Sequence, residues 1–153
     1  MRKKIKIGEF GMGFKIEKLR KEDIGKYKEL IDSCFGGSNS LEEYERKYRE
    51  DAEYTIIVAK DEEKVIGSIT MYSIDLFTYS FQPALELFNV AVLKEYRRNN
   101  VAKEILEYIL KYAKENGYKS VYLTCLADAY GAHKLYESVG FNKLDSVKYG
   151  IDI

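Results

Sequence analysis

A chain of 153 residues that is 46% hydrophobic and 14% aromatic is long enough for one domain with a true core and short for two. Its 25 Lys and Arg balance 25 Asp and Glu, so no bulk field exists to hold nucleic acid or an anionic membrane, and any anion site must be local. Cys34 and Cys125 lie far apart with no CxxC or CxxH spacing, which argues against structural zinc and a disulfide framework and points to a reducing, cytoplasmic setting.

The opening MRKKIKIGEFGMGF is basic but lacks an apolar run of signal-peptide length, and residues 1–13 read as a flexible or peripheral lead. No uncharged run reaches membrane-spanning length, so a soluble protein is expected. Phe14 to Leu19 reads as a strand. Asp23 to Cys34 reads as a helix, because Ile24, Tyr27, Ile31 and Cys34 recur at helical spacing before Gly36-Gly37. Ser40-Leu-Glu-Glu43 is a capping box opening a second helix. Tyr54 to Ala59 and Val65 to Tyr72 are β-rich runs joined by the charged turn Asp61 to Lys64, a hairpin.

An aromatic loop, Tyr72 to Pro83, leads to a strand over Leu85 to Val92. Val101 to Tyr118 begins as an amphipathic helix with Val101, Ile105, Ile109 and Ala102, Leu106, Leu110, Ala113 in adjacent rows. Ser120 to Leu126 reads as the next strand, Tyr130 to Val139 as the last helix, and Phe141 to Ile153 as one or two returning strands. Without repeats or low-complexity linkers, the order implies a single α/β domain over 1–153: a central mixed sheet flanked by about four helices.

A strand running directly into a helix leaves the first helical amides unpaired, and their N–H groups make a ready site for phosphate. Lys94, Arg97, Arg98 and Lys103 surround the start of the Val101 helix, where a purely structural first turn is better served by Asp or Glu. The alternative reading is a set of solvated cations on a surface loop, and charge alone leaves both open. There is no GxxxxGK[ST], and the Gly8 to Gly13 cluster precedes a strand instead of opening a helix.

The stretch Val92-Leu-Lys-Glu-Tyr-Arg-Arg-Asn-Asn-Val-Ala102 resembles the acyl-CoA-binding motif of the GNAT superfamily of N-acetyltransferases, V-x-x-x-Y-R-[GR]-x-G-[IV]-[GA]. Ala132-His-Lys-Leu-Tyr-Glu-Ser-Val-Gly-Phe141 resembles that family's A-x-x-L-Y-E-x-x-G-F segment, and with Phe14 to Asp23 and Val65 to Ser68 the likeness spans Phe14 to Asp145. Two departures stand out: Asn100 occupies the core glycine position, and Ala129 the position of a usual asparagine. Asparagine tolerates left-handed backbone better than most residues but carries a Cβ.

The resemblance implies a GNAT fold and direct transfer of an acetyl group from acetyl-CoA to a primary amine of a small molecule or protein, with no metal. It implies that backbone at Val90, Ala91 and Val92 pairs with the pantetheine arm. The turn and helix start at Arg97, Arg98, Asn99, Asn100, Val101, Ala102 and Lys103 would cradle the pyrophosphate. An N–H near Val92 would face the thioester carbonyl, where such a donor is worth about 3–4 kcal/mol. Glu86 resembles the catalytic glutamate some family members carry on the fourth strand, and Asp128 is a reserve base; a solvent-facing carboxylate is the competing reading of Glu86. Tyr136 matches the family's cofactor-side tyrosine that protonates the departing thiolate, and its position on the Ala132, Leu135, Tyr136, Val139 stripe equally fits core packing.

His133 reads as pointing to solvent or the cofactor's edge, and Cys125 as an apolar filler in a buried strand. The aromatic loop can line the acceptor pocket, form a homodimer interface or cap the core. Without the base, the same cradle would serve a non-catalytic acyl-CoA-binding or regulatory module, and the fold alone a plain interaction domain.

Overall fold

The computed structural model describes residues 13–50 and 52–153, so the expected lead over 1–13 lies, apart from Gly13, outside the described residues. The chain alternates β1 (Lys15–Lys18), α1 (Ile24–Phe35), α2 (Leu41–Lys47), β2 (Tyr54–Asp61), β3 (Lys64–Ile74), β4 (Ala84–Val92), α3 (Val101–Glu115), β5 (Ser120–Leu123) and α4 (Tyr130–Val139). The strands form one sheet in the order β1-β2-β3-β4-β5, antiparallel except for the parallel β4–β5 pair. This is the expected mixed sheet with four helices.

Local signals explain most boundaries. The Ser40 hydroxyl accepts the Glu43 N–H at 3.2 Å while the Glu43 carboxylate accepts the Ser40 N–H at 2.6 Å, so both halves of the capping box form. Asp23, expected to begin α1, instead sits in a 3₁₀ turn, and its buried carboxylate accepts a 2.9 Å hydrogen bond from Lys60 on β2. The Asp23 carboxylate thereby tethers the α1 entrance to the sheet.

The two faces of β3 divide the molecule. Strand alternation sends Ser68, Thr70 and Tyr72 toward α1, and Gly67 and Ile69 toward α3. Gly67 is glycine because α3 lies against it: a Cβ there would come within 2.7 Å of Val101 Cγ1 and 3.2 Å of the Ala91 carbonyl oxygen. Gly67→Ala is therefore expected to lower stability by about 1–3 kcal/mol through overpacking, read as a fall in Tm; an unchanged Tm would show that α3 can move away without cost.

Two expectations at the end of the chain are corrected. β5 stops at Leu123 instead of Leu126, so Cys125 is exposed beyond the strand and not a buried filler. Residues 142–153 form neither strand nor helix, although Val147, Tyr149, Ile151 and Ile153 alternate at strand period; all four side chains are exposed. Alternation sets which face each residue takes but supplies no ladder partner, and among the described residues nothing pairs with this segment. Among the described residues no helix is long and apolar enough to cross a membrane.

Candidate active site

The site starts from an irregularity in β4. Thr70 of β3 faces Phe88, and Ser68 faces Ala91, so Ile69 alone opposes both Asn89 and Val90. The extra residue is accommodated by a bulge, with Asn89 at φ +53°, a left-handed conformation that asparagine accepts more readily than most side chains. Beyond it, Leu93 N–H donates to Ile66 O at 2.9 Å, so its neighbour Val92 directs its N–H and C=O away from β3. On the other edge the β5 ladder ends at Leu87–Leu123 while β4 runs on to Val92. From Phe88 to Val92, β4 therefore presents an edge that no strand among the described residues pairs with.

That edge leads straight into the polar turn. Tyr96 is fully buried and its hydroxyl donates to Asp61 at 2.8 Å, anchoring the turn to the β2–β3 hairpin. The Arg97 Nε donates to Val92 O at 3.3 Å, and the Asn99 amide donates to the carbonyls of Tyr96 and Arg97 at 3.1 and 3.2 Å. Arg98 and Asn100 both take left-handed φ, 63° and 60°. Asparagine thus stands where the motif carries glycine and adopts the backbone geometry glycine would supply, with an exposed side chain that makes no capping hydrogen bond. The first intrahelical hydrogen bond is donated by the Glu104 N–H to Asn100 O at 2.9 Å, leaving the amides of Val101, Ala102 and Lys103 pointing out of the helix start.

The side chains at this turn divide between structure and solvent. Val101 is buried against Gly67, so only its amide faces outward. Arg97 and Arg98 are exposed beside the amides.

Glu86 and Tyr136 sit differently from each other. Glu86 pairs with Tyr72 across the β3–β4 ladder and with Tyr122 across β4–β5, which puts its half-buried side chain on the α1 face of the sheet. Tyr136 is buried in α4, packs edge-on against Phe141 at 6.1 Å, and makes no hydrogen bond through its hydroxyl to any described residue. Burial, and after it the nearby Cys125, pushes this hydroxyl above the ordinary tyrosine range, so it stays protonated at neutral pH. Asp128 is exposed in the loop before α4. His133 has its Nε2 3.0 and 3.1 Å from the carbonyl oxygens of Leu126 and Ala127, so that nitrogen carries the proton and fastens the loop.

Between α1, α2 and the sheet lies a cavity of about 680 Å³ that reaches the bulge at Asn89. Its walls carry Tyr27, Tyr44, Tyr48, Tyr54 and Tyr72. Two of these rings are pinned to backbone, Tyr48 through Leu19 O at 2.7 Å and Tyr54 through Lys47 O at 2.9 Å. Tyr27 packs edge-on to Tyr44, and burial pushes its hydroxyl pKa up to about 12. Sequence reasoning did not find this cavity: its tyrosines are spread over four elements, and no spacing along the chain connects them. Asn89 was the one readable signal, an asparagine interrupting an apolar strand.

Residues 24–141 match the family model described as Acetyltransferase (GNAT) family. N-acetyltransferase 8 from Homo sapiens is 36% identical over 86 residues, 56% of this chain and 37% of that protein, so the chain spans well under two thirds of that relative's length. Among solved structures, glucosamine-6-phosphate N-acetyltransferase from Arabidopsis thaliana superposes with a TM-score of 0.78 at 25% identity, covering 91% of this chain and 99% of that one. An aminoglycoside acetyltransferase from an uncultured soil metagenomic sample gives 0.80 at 22% identity over 92% of this chain and 96% of its own, a likeness of fold alone.

Proposed function

Because the chain belongs to the GNAT acetyltransferase family, in which acetyl-CoA is the general donor, we propose that it transfers an acetyl group from acetyl-CoA to a primary amine, directly and within a ternary complex. The observation that carries this reading is the continuous path from the unpaired β4 edge into the outward amides of α3. An amide-bearing pantetheine arm can add to such an edge as an extra strand, through backbone at Val90 to Val92. The amides of Val101, Ala102 and Lys103, with the cations of Arg97, Arg98 and Lys103, suit a pyrophosphate at the positive end of a helix of 15 residues. Asn99 holds the turn in shape, and Asn100 supplies its left-handed step.

The Val92 N–H, directed away from β3, is the donor we assign to the thioester carbonyl oxygen. An acceptor amine with a pKa of about 10.4 is neutral only about once in 2,500 molecules at pH 7, so its proton must be removed. Glu86 lies three residues before Asn89, about 10 Å along a strand at ~3.4 Å per residue, which favours removal through a water relay over direct contact. As the amine nitrogen bonds to the acyl carbon and the carbon–sulfur bond breaks, the nitrogen gives up a second proton, which leaves with sulfur as the CoA thiol, while the first, taken through the relay, passes to water. The Tyr136 hydroxyl supplies the hydrogen bond to that sulfur. The two free cysteines fit a reducing compartment, and we place the reaction in the cytosol.

Calorimetric titration tests the donor site. Acetyl-CoA is expected to bind, ATP and NADH to bind far more weakly, and an Arg97→Ala/Arg98→Ala variant to lose roughly tenfold in affinity, the scale of one charge-assisted contact. Equal binding of ATP, or no binding of acetyl-CoA, would overturn the reading.

A further inference from the structure

The tyrosine-lined cavity carries charge in an unusual arrangement. Arg46, Lys47 and Arg49 line it and are exposed at its outer side, and among the described residues none of the three side chains has an ion-pair partner. Of the described residues lining the cavity, Glu43 is the one carboxylate, and it is committed to the Ser40 N–H in the capping box. The mouth is therefore net positive. An amine arrives as an ammonium ion, and a simple polycation would meet like charge at the entrance. At the opposite side the floor is sheet: Ile56, Thr70 and Tyr72, then Asn89 at the bulge, with Glu86 beside Tyr72 on the same face. Positive charge at the mouth, with Glu86 outside the lining but next to Tyr72 on the same face of the sheet, describes the complement of a zwitterion, oriented amine-first. The pinned rings of Tyr48 and Tyr54 form a preorganised wall for an apolar or aromatic body between the two charges.

We infer that the acceptor is an amine that also carries an anionic group, with the anion held by Arg46 and Arg49, the body against the tyrosines and the amine at the Asn89 bulge, a water relay away from Glu86. This inference rests on the acetyl-transfer reading and adds the acceptor's chemical class to it. Guanidinium suits both carboxylate and phosphate, so the two sources of the anion are separated by substrate choice.

The test measures kcat/KM for CoA release, at saturating acetyl-CoA, with matched acceptors in which an aromatic body separates amine from anion: 4-(2-aminoethyl)benzoate against phenethylamine, tyramine O-phosphate against tyramine, and spermidine as the polycation. At least one anionic member is expected to exceed its uncharged partner by roughly tenfold or more, as one charge-assisted hydrogen bond provides, with spermidine below both. Which pair responds identifies carboxylate or phosphate. In an Arg46→Gln/Arg49→Gln variant that still binds acetyl-CoA, the same ratio is expected to fall several-fold, which separates charge recognition from differences in amine basicity. Transfer to amines with no anionic preference, or a preference that survives in the variant, overturns the inference and leaves acetyl transfer standing. Acetyl-CoA binding without CoA release to any of these amines overturns the transfer reading and the inference with it.

Discussion

Tyr136→Phe is expected to lower kcat by about 100-fold or more while leaving acetyl-CoA affinity and Tm close to the parent values, the signature of an interaction made chiefly in the transition state. The expectation is sharp because the ring and the hydroxyl can be separated. The ring is buried at 8% exposure and stacks edge-on against Phe141, contacts that phenylalanine preserves. The hydroxyl bonds to no described residue, so its deletion breaks nothing in the fold. Its raised pKa holds the proton in place at neutral pH, and a thiol reference pKa of about 8.5 means that the departing sulfur gains from a donated hydrogen bond without taking the proton outright. Single-turnover CoA release is the direct readout. Undiminished turnover would reduce Tyr136 to a core residue.

Glu86→Gln is the second large effect. At pH 7 kcat/KM is expected to fall about 100-fold, the lower end of what general base catalysis contributes. The deficit has a definite pH dependence. As pH rises toward the amine's own pKa, about 10.4 for a lysine-like acceptor, free amine becomes abundant and the base is needed less, so parent and variant should converge. A deficit of constant size from pH 7 to pH 10 would mean that Glu86 shapes the face shared with Tyr72 and does not accept a proton.

The parts of this molecule that were legible in its sequence are those written in consecutive residues. The capping box at Ser40, the apolar rows of α3 and the turn from Arg97 to Asn100 each follow from local spacing, and each formed where expected. Strand ends were less legible. Thr124, Cys125 and Leu126 are as β-compatible as the residues before them, yet β5 ends at Leu123 because the β4 ladder ends there, a fact of pairing and not of composition. His133 shows the same limit: its place off the apolar stripe of α4 suggested solvent or the cofactor's edge and gave no sign of the two carbonyls of the preceding loop that its Nε2 meets. The tyrosine cavity was the least legible of all, since only the sheet register brings Tyr54, Thr70 and Tyr72 onto one face.

The bulge at Asn89 also bears on how such a site can arise. Deleting one residue there would let Ile69 pair one-to-one and join the two registers of β4 into an unbroken ladder, with Glu86 still opposite Tyr72 and Ala91 still opposite Ser68. One inserted codon therefore separates an unbroken ladder from an interrupted one, and the paired registers on either side of the insertion are the same in both. A sheet of this kind can acquire or lose such a bulge in a single genetic event while the pairing on either side stays the same.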